Sequence, residues 1–266
     1  MLGFNGGLRG KRRGPATDAA SGLWSPNEQS VAKREDAWPY GMAANPNFSS
    51  VSLLLHMDGS NNSTTFTDSS STARPINRFG DAKISTTQSK FSGASGLFDG
   101  TGDYLTTTIA SAIGTGPYTF EGFFYPVDNS SWRTILTVGG IAVYWHQGAV
   151  IGYGGNIPGS DLRSKQGQFG SKPALSLNTW HHFALTRTSN GIVYVFADGL
   201  QGGLSLGTSS NTVTGNTFNA SSTAMNIASN GAGGEFFNGY LDELRIARDA
   251  VYTTNFTPPT APFPEA

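Results

Sequence analysis

The sequence predicts an all-β protein, and three observations carry that prediction. Charged residues make up only 13% of the 266 positions while glycine occupies 35, a balance that suits short strands joined by tight turns better than helices. Between Asn178 and Gly199 the string NTWHHFALTRTSNGIVYVFADG reads as two strands and two turns. His181, Phe183, Leu185 and Arg187 fall on one face of the first arm and Trp180, His182, Ala184 and Thr186 on the other. Asn190-Gly191 turns the chain, Ile192 to Ala197 is a β-branched and aromatic run, and Asp198-Gly199 can take the positive φ that a tight hairpin turn demands. The third observation is that similar short apolar runs, bounded by Gly, Asn and Asp, recur on both sides of this meander.

Residues 1 to 47 are expected to form an arm and residues 48 to 266 the strand-rich domain. The first 22 residues are Gly-rich, carry Arg9, Lys11, Arg12 and Arg13, and offer almost nothing apolar to bury, so they do not fold alone. Two readings stay open for them: a solvated tail, or an arm that orders against an acidic surface or nucleic acid. Ser25-Pro26-Asn27-Glu28 supplies a helix start, with Ser25 as cap, Pro26 in the first turn and Glu28 able to reach back; Trp38-Pro39 stops it. About eleven residues is marginal for an isolated helix in water. It needs a surface to lie on, with Trp24 and Trp38 as anchors, so the four basic residues and these two tryptophans are the candidate partner-binding residues of an assembly in several copies.

From Phe48 onward the strands come in order. Val51 to Met57 is a buried first strand, and NNSTTFTDSSSTARP up to Pro75 is a long loop with Phe66 as its one apolar anchor. Short strands are expected near Ile76, at Lys83 to Ser85 and at Gly96 to Phe98. Asp99-Gly100-Thr101-Gly102-Asp103 makes a tight turn into a strand at Tyr104 to Thr108. Tyr118 to Val127 is the richest apolar run, expected as a central strand covered on both faces. Arg133 to Val138, Ile141 to Trp145 and Val150 to Tyr153 come next, then a long polar loop over 154 to 173. Met225 to Ala228 and Phe236 to Ile246 complete the set, and the Pro-rich TPPTAPFP is expected to lie extended along the surface.

TWHHFALTRT followed by YVFADGLQ resembles the central hairpin of the laminin-G-like, concanavalin A-like jelly-roll superfamily. LLLHMDGS, SGLFDGTGDYL, YTFEGFFYP and FFNGYLDELRIAR agree with it, in the family's order, across most of Phe48 to Pro264. The resemblance implies a two-sheet antiparallel β-sandwich in which the last strand returns beside the first, bringing Asp242 near Asp58. The Gly-rich start, GLWSPNEQ, short charged helix and Trp-Pro stop resemble the leader of small structural proteins of tailed bacteriophages, marine ones in particular. That resemblance implies a jelly roll displayed on capsid or tail of a virion and held to other virion proteins by its leader.

Asp58 and Asp242, if adjacent as the resemblance implies, are candidate ligands for an oxygen-seeking cation such as Ca²⁺. The structural alternative has Asp58 opening an Asp-Gly turn and Asp242 pairing with Arg245 or capping a loop. Asp99 and Asp103 are explained by turn chemistry, and His181 and His182 by opposite-facing positions, one buried and one at the surface. For host or matrix glycans, the candidate contacts are aromatics near polar loops (Trp132, Trp145, Tyr153, Phe169) with Asn156, Asp161 and Arg163 as hydrogen-bonding partners. Core packing is the competing role for the aromatics.

Other functions are disfavoured. A net charge of -1 gives no field to recruit nucleic acid to the main domain. With no cysteine there are no disulfides, thiolate metal sites or cysteine nucleophiles. No run approaches the roughly 20 apolar residues of a membrane span, and no apolar stretch follows the charges of MLGFNGGLRGKRRGP as a secretory signal would require; a soluble protein is expected. Some relatives by fold cleave β-glucans with a Glu-x-Asp-x-x-Glu strand. Here YLDELRI places Asp242 next to Glu243, on opposite strand faces, and no nucleophile elbow, H-E-x-x-H or phosphate loop occurs, so no enzyme is expected.

Overall fold

The computed structural model describes residues 48–154, 175–202, 219–231 and 234–265. By internal contacts the chain divides into one unit of Met1–Ala44 with Pro259–Ala261 and another of Asn45–Pro258 with Pro262–Ala266, and the strands among the described residues belong to the second. The arm's helix, Arg9, Lys11, Arg12, Arg13, Trp24 and Trp38 lie outside the described residues, as do Asn156, Asp161, Arg163 and Phe169.

A 3-10 turn, Phe48–Ser50, leads into strands β1 (Val51–Leu55), β2 (Asn77–Phe79), β3 (Lys83–Ser85), β4 (Ser95–Asp99), β5 (Tyr104–Thr108), β6 (Tyr118–Pro126) and β7 (Arg133–Val138). Then come β8 (Ile141–His146), β9 (Ala149–Gly154), β10 (His181–Arg187), β11 (Val193–Ala197), β12 (Leu200–Gln201), β13 (Ala224–Ile227) and β14 (Asn238–Ala247). All pairings are antiparallel, and they build two sheets. One runs β12-β11-β10-β6-β14-β4-β3, with β1 beside the second half of β14 on the edge that β4 occupies along the first half. The other runs β2-β5-β13-β7-β8-β9. β6 lies between β10 and β14, the central place its continuous apolar sequence implies, and Asp198 and Gly199 take φ of 49° and 73° in the turn between β11 and β12.

The inner faces meet over Leu53, Leu55, Phe98, Phe120, Phe124, Leu136, Trp145, Phe183, Leu185, Ile227 and Leu244, all buried in one cluster. Full burial of each such side chain is worth about 1.5–3 kcal/mol. The sheets approach closely at Gly152 on β9, where a Cβ would come within 2.8 Å of the Leu185 side chain. The long loop after β1 has Phe66 as its apolar anchor, 6.5 Å from Phe98, and a polar anchor that its sequence does not announce: Asp68 accepts hydrogen bonds from the Leu54 and Ser70 amides, the Ser70 hydroxyl and the Arg74 amide.

The outer face of the eight-stranded sheet is covered by the chain's own later residues. Tyr252 and Phe256 stack at 3.6 Å and pack edge-on against Phe196, while Phe263 presents its ring 3.8 Å from the Arg245 guanidinium. The Phe256 amide donates to the Gly199 carbonyl at 2.9 Å. A Cβ on Gly199 would fall 1.9 Å from the Phe256 carbonyl oxygen, so this turn needs glycine for its φ and for the close approach alike. From the other side, Phe91 meets Phe123 edge-on at 5.3 Å and the Lys90 amine sits 5.0 Å above that ring. The C-terminal stretch therefore does more than lie along the surface: it seals a sheet face. His182 is buried beneath it, against Tyr252 and Phe256, and His181 is buried on the opposite face beside Phe124, which corrects the expectation that one of the two would reach solvent.

Candidate functional site

Beneath the covering segment lies a network of buried charge. Glu121, in the middle of the apolar run YTFEGFFYP, accepts two hydrogen bonds from Arg245, at 3.0 and 2.7 Å, and one from the Tyr252 hydroxyl at 2.9 Å. His182 Nε2 stands 3.4 Å from the same carboxylate. Burial alone would raise the Glu121 pKa, but Arg245 and His182 outweigh it and hold the group below the ordinary carboxylate range. The Tyr252 phenol is pushed well up by burial and by the Glu121 charge. Both oxygens of this carboxylate are spent on fixed neighbours.

The YLDELRI string holds a correction. Asp242 pairs with Phe123 and Arg245 with Glu121, so Glu243 and Leu244 together oppose Gly122 in a β-bulge, with Glu243 at a φ of 52°. The bulge breaks the alternation from which opposite-facing carboxylates were expected. Glu243 accepts hydrogen bonds from His56 Nδ1 and from the Phe263 amide, both at 2.8 Å. Asp242 Oδ2 accepts the Lys90 and Phe91 amides, and its Oδ1 is buried without a partner. Burial, with the charges of Glu243 and Asp58 added, raises Asp242 to about 8.

β1 does run beside β14, and Asp58, exposed just beyond β1, is close enough for its charge to act on Asp242. An orphaned buried carboxylate oxygen near a second acid is the kind of group a hard cation would satisfy. Yet among the described residues no three His, Asp or Glu side chains gather to hold an ion. Two carboxylates leave most of the 6–8 oxygens of a Ca²⁺ shell to carbonyls and water. Asp103 is a turn organiser, accepting the Asp81 and Asp99 amides.

The outer face of the six-stranded sheet has a different character. The register places Asn77 and Phe79 of β2, Tyr104, Thr106 and Thr108 of β5, Asn226 of β13, Thr137 of β7 and Ala142, Tyr144 and His146 of β8 on one side. A half-buried Trp132 lies flat on His146, centroids 4.3 Å apart and planes at 3°, and edge-on to Tyr144. Tyr153, on β9, joins this cluster 6.3 Å from Tyr144. At the other end Phe79 stacks on Tyr104 at 4.5 Å and 2°, with Phe236 6.1 Å from Tyr104. Thr106, Asn226 and Thr137 form a polar strip between the two aromatic groups, Asn226 donating to Thr137 at 3.1 Å.

Trp145 does not belong to this face, which corrects the expectation that it would stack on a sugar. With Ile141 and Val143 it points into the core, fully buried, 5.5 Å from Phe124, its indole N–H donating to the Asp128 carbonyl at 2.8 Å. Ile-Ala-Val-Tyr-Trp-His offers apolar residues to both faces, so alternation alone could not choose between Tyr144 and Trp145. Phe79, Tyr104 and Phe236 escaped notice in the sequence because they come from three separate stretches that only strand pairing brings together.

Residues 99–254, more than half of the chain, match the family described as the concanavalin A-like lectin/glucanases superfamily. The chain belongs to that superfamily. Among solved structures, domain 4 of AbnA, an extracellular GH43 arabinanase from Geobacillus stearothermophilus in complex with arabinotriose, is similar at a TM-score of 0.54 and 17% identity, over 76% of this chain and 94% of that one. The receptor-binding domain of a botulinum neurotoxin C/D mosaic serotype is similar at 0.53 and 12%, over 76% of this chain and 49% of that one. The serotype D ligand-binding domain, in complex with N-acetylneuraminic acid, is similar at 0.52 and 12%, over 76% and 48%. The chain thus spans about half the length of these toxin domains. At such identities the likeness is one of fold. No curated protein matches the sequence. The lectin-like domain shows no helix, among the described residues, long and apolar enough to cross a membrane.

Proposed function

We propose that this protein is a non-enzymatic structural component of a tailed-phage virion whose lectin-like jelly roll is displayed outward and contacts host or matrix glycans. The observation that carries the adhesive part is the contrast between its two sheets. One outer face is sealed by the chain's own Tyr252, Phe256 and Phe263, whereas the other presents aromatic rings at both ends of a strip of hydroxyl and amide groups. Flat rings that stack on pyranose faces, beside short polar side chains that read hydroxyls, are the usual means of holding sugars without chemistry. Similar folds solved with arabinotriose and N-acetylneuraminic acid lend support at the level of architecture.

The non-catalytic part is supported by the state of the acids. Glu121, Asp242 and Glu243 are buried and tied to fixed partners, so none forms a pair flanking an open cleft as glycoside hydrolysis needs. The virion part rests on the resemblance of the leader, with residues 1–47 as the fastener. Glycan-array binding by the whole chain tests the adhesive role, and flat responses to every oligosaccharide would remove it. Loss of particle incorporation on deleting residues 1–40 tests the fastening role, which fails if the truncated protein still assembles.

A further inference from the structure

We infer that the β2–β5 edge of the six-stranded sheet is a binding track for an anionic oligosaccharide, with Phe79 and Tyr104 as its stacking end and Arg74 as its charge-reading end. The inference rests on the glycan-binding reading and adds to it a place and a chemical class. Three observations meet here. Phe79 is one of three large hydrophobic side chains exposed among the described residues, keeping 42% of its surface open although it is stacked on Tyr104. A ring held flat by a second ring, itself backed by Phe236, is a rigid platform that loses little entropy when a sugar settles on it.

Two residues along the same ladder, Asn77 and Thr106 face each other as a strand pair and offer an amide and a hydroxyl on the platform's side of the sheet. Two residues further along β5, Thr108 Oγ1 accepts from the Arg74 guanidinium at 3.4 Å. Among the described residues that is its only side-chain hydrogen bond, no carboxylate pairs with it, and its Nε is buried without a partner. Asp68, which accepts the Arg74 backbone amide, is occupied by three backbone amides and the Ser70 hydroxyl. A guanidinium with unspent donors, lying at one end of a sugar-sized polar strip, fits a planar carboxylate or a sulfate ester. From Tyr104 to Thr108 the strand advances about 13 Å, room for a short oligosaccharide rather than a single ring.

Titration calorimetry with the full-length chain tests this, using three probes of matched length: oligogalacturonate, a sulfated galactan fragment and an uncharged galactan fragment. Both anionic probes, or one of them, should bind at least tenfold tighter than the neutral one, and the comparison between the two separates uronate from sulfate. Phe79→Ala should weaken every probe tenfold or more while the domain stays folded, with only the small fall in melting temperature that losing the stack on Tyr104 entails. Arg74→Gln should weaken only the anionic probes. Equal binding of charged and uncharged probes, unmoved by Arg74→Gln, overturns the anionic assignment while leaving glycan binding intact. Binding that ignores Phe79→Ala places the sugar elsewhere and overturns the track. No binding of any probe in calorimetry or on an array overturns the glycan reading and this inference together.

Discussion

Replacing Arg245 by methionine should be among the most damaging single changes in the domain. The guanidinium makes two hydrogen bonds to one oxygen of Glu121, whose carboxylate and Arg245 itself are both almost wholly inaccessible to water. Removing one partner of such a pair leaves a buried charge without compensation, a cost of about 3–5 kcal/mol. The Tyr252 hydroxyl and His182 would remain beside Glu121, which places the expected loss toward the lower end of that range. For a sandwich of this size 1 kcal/mol shifts the melting temperature by roughly 2–4 °C, so a fall of about 10 °C is expected. Urea unfolding of the wild type, Arg245→Met, Glu121→Met and the double variant completes the cycle, and the double variant should recover most of what Arg245→Met loses. Its acid arm has a fixed sign. Because the Glu121 pKa is lowered from 4.5 in the fold, its contribution is present above that value and lost as pH falls through the folded pKa. A loss under 1 kcal/mol for Arg245→Met, or a double variant no better than the single one, would refute the account of this network.

Gly199→Ala should cost on the order of 1–3 kcal/mol, since the new Cβ meets the Phe256 carbonyl at 1.9 Å and the backbone sits at φ 73°; limited proteolysis should then cut first within 251–258, and an unchanged pattern would separate this turn from the covering segment. Two histidines should make the domain less stable toward alkaline pH. Burial opposes their protonation, but Glu243 and Glu265 raise His56, and Asp198 with the Ser176 carbonyl raises His181. The stability they contribute is complete below 6.5 and disappears as pH rises through the folded values, so NMR titration should place both above 6.5, and Glu243→Gln should lower His56 alone. Calcium, if it is held at Asp58 and Asp242, should raise the melting temperature of the wild type over a chelator control and leave Asp242→Asn unmoved; equal melting with and without the ion counts against that site.

How much was legible in the sequence depends on the range of the interaction. Strand positions, the central place of Tyr118 to Pro126 and the Asp198-Gly199 turn follow from local alternation, β-propensity and backbone freedom, which neighbours in the chain carry by themselves. Glu121 within YTFEGFFYP could have been flagged, because a carboxylate in a buried strand needs a partner, but which partner was set by β14 lying beside β6, more than a hundred residues away. Whether Tyr144 or Trp145 faces the core, whether Asp242 and Glu243 diverge, and which sheet face the closing residues cover depend on register, a bulge and packing across the sandwich. A one-residue slip in any of these exchanges inside for outside, and only the assembled tertiary structure makes that choice. The aromatic track on β2 and β5 is the plainest case. Its rings, amide and guanidinium come from stretches that look like loop and edge when read alone, and they become a surface only where antiparallel pairing sets them side by side.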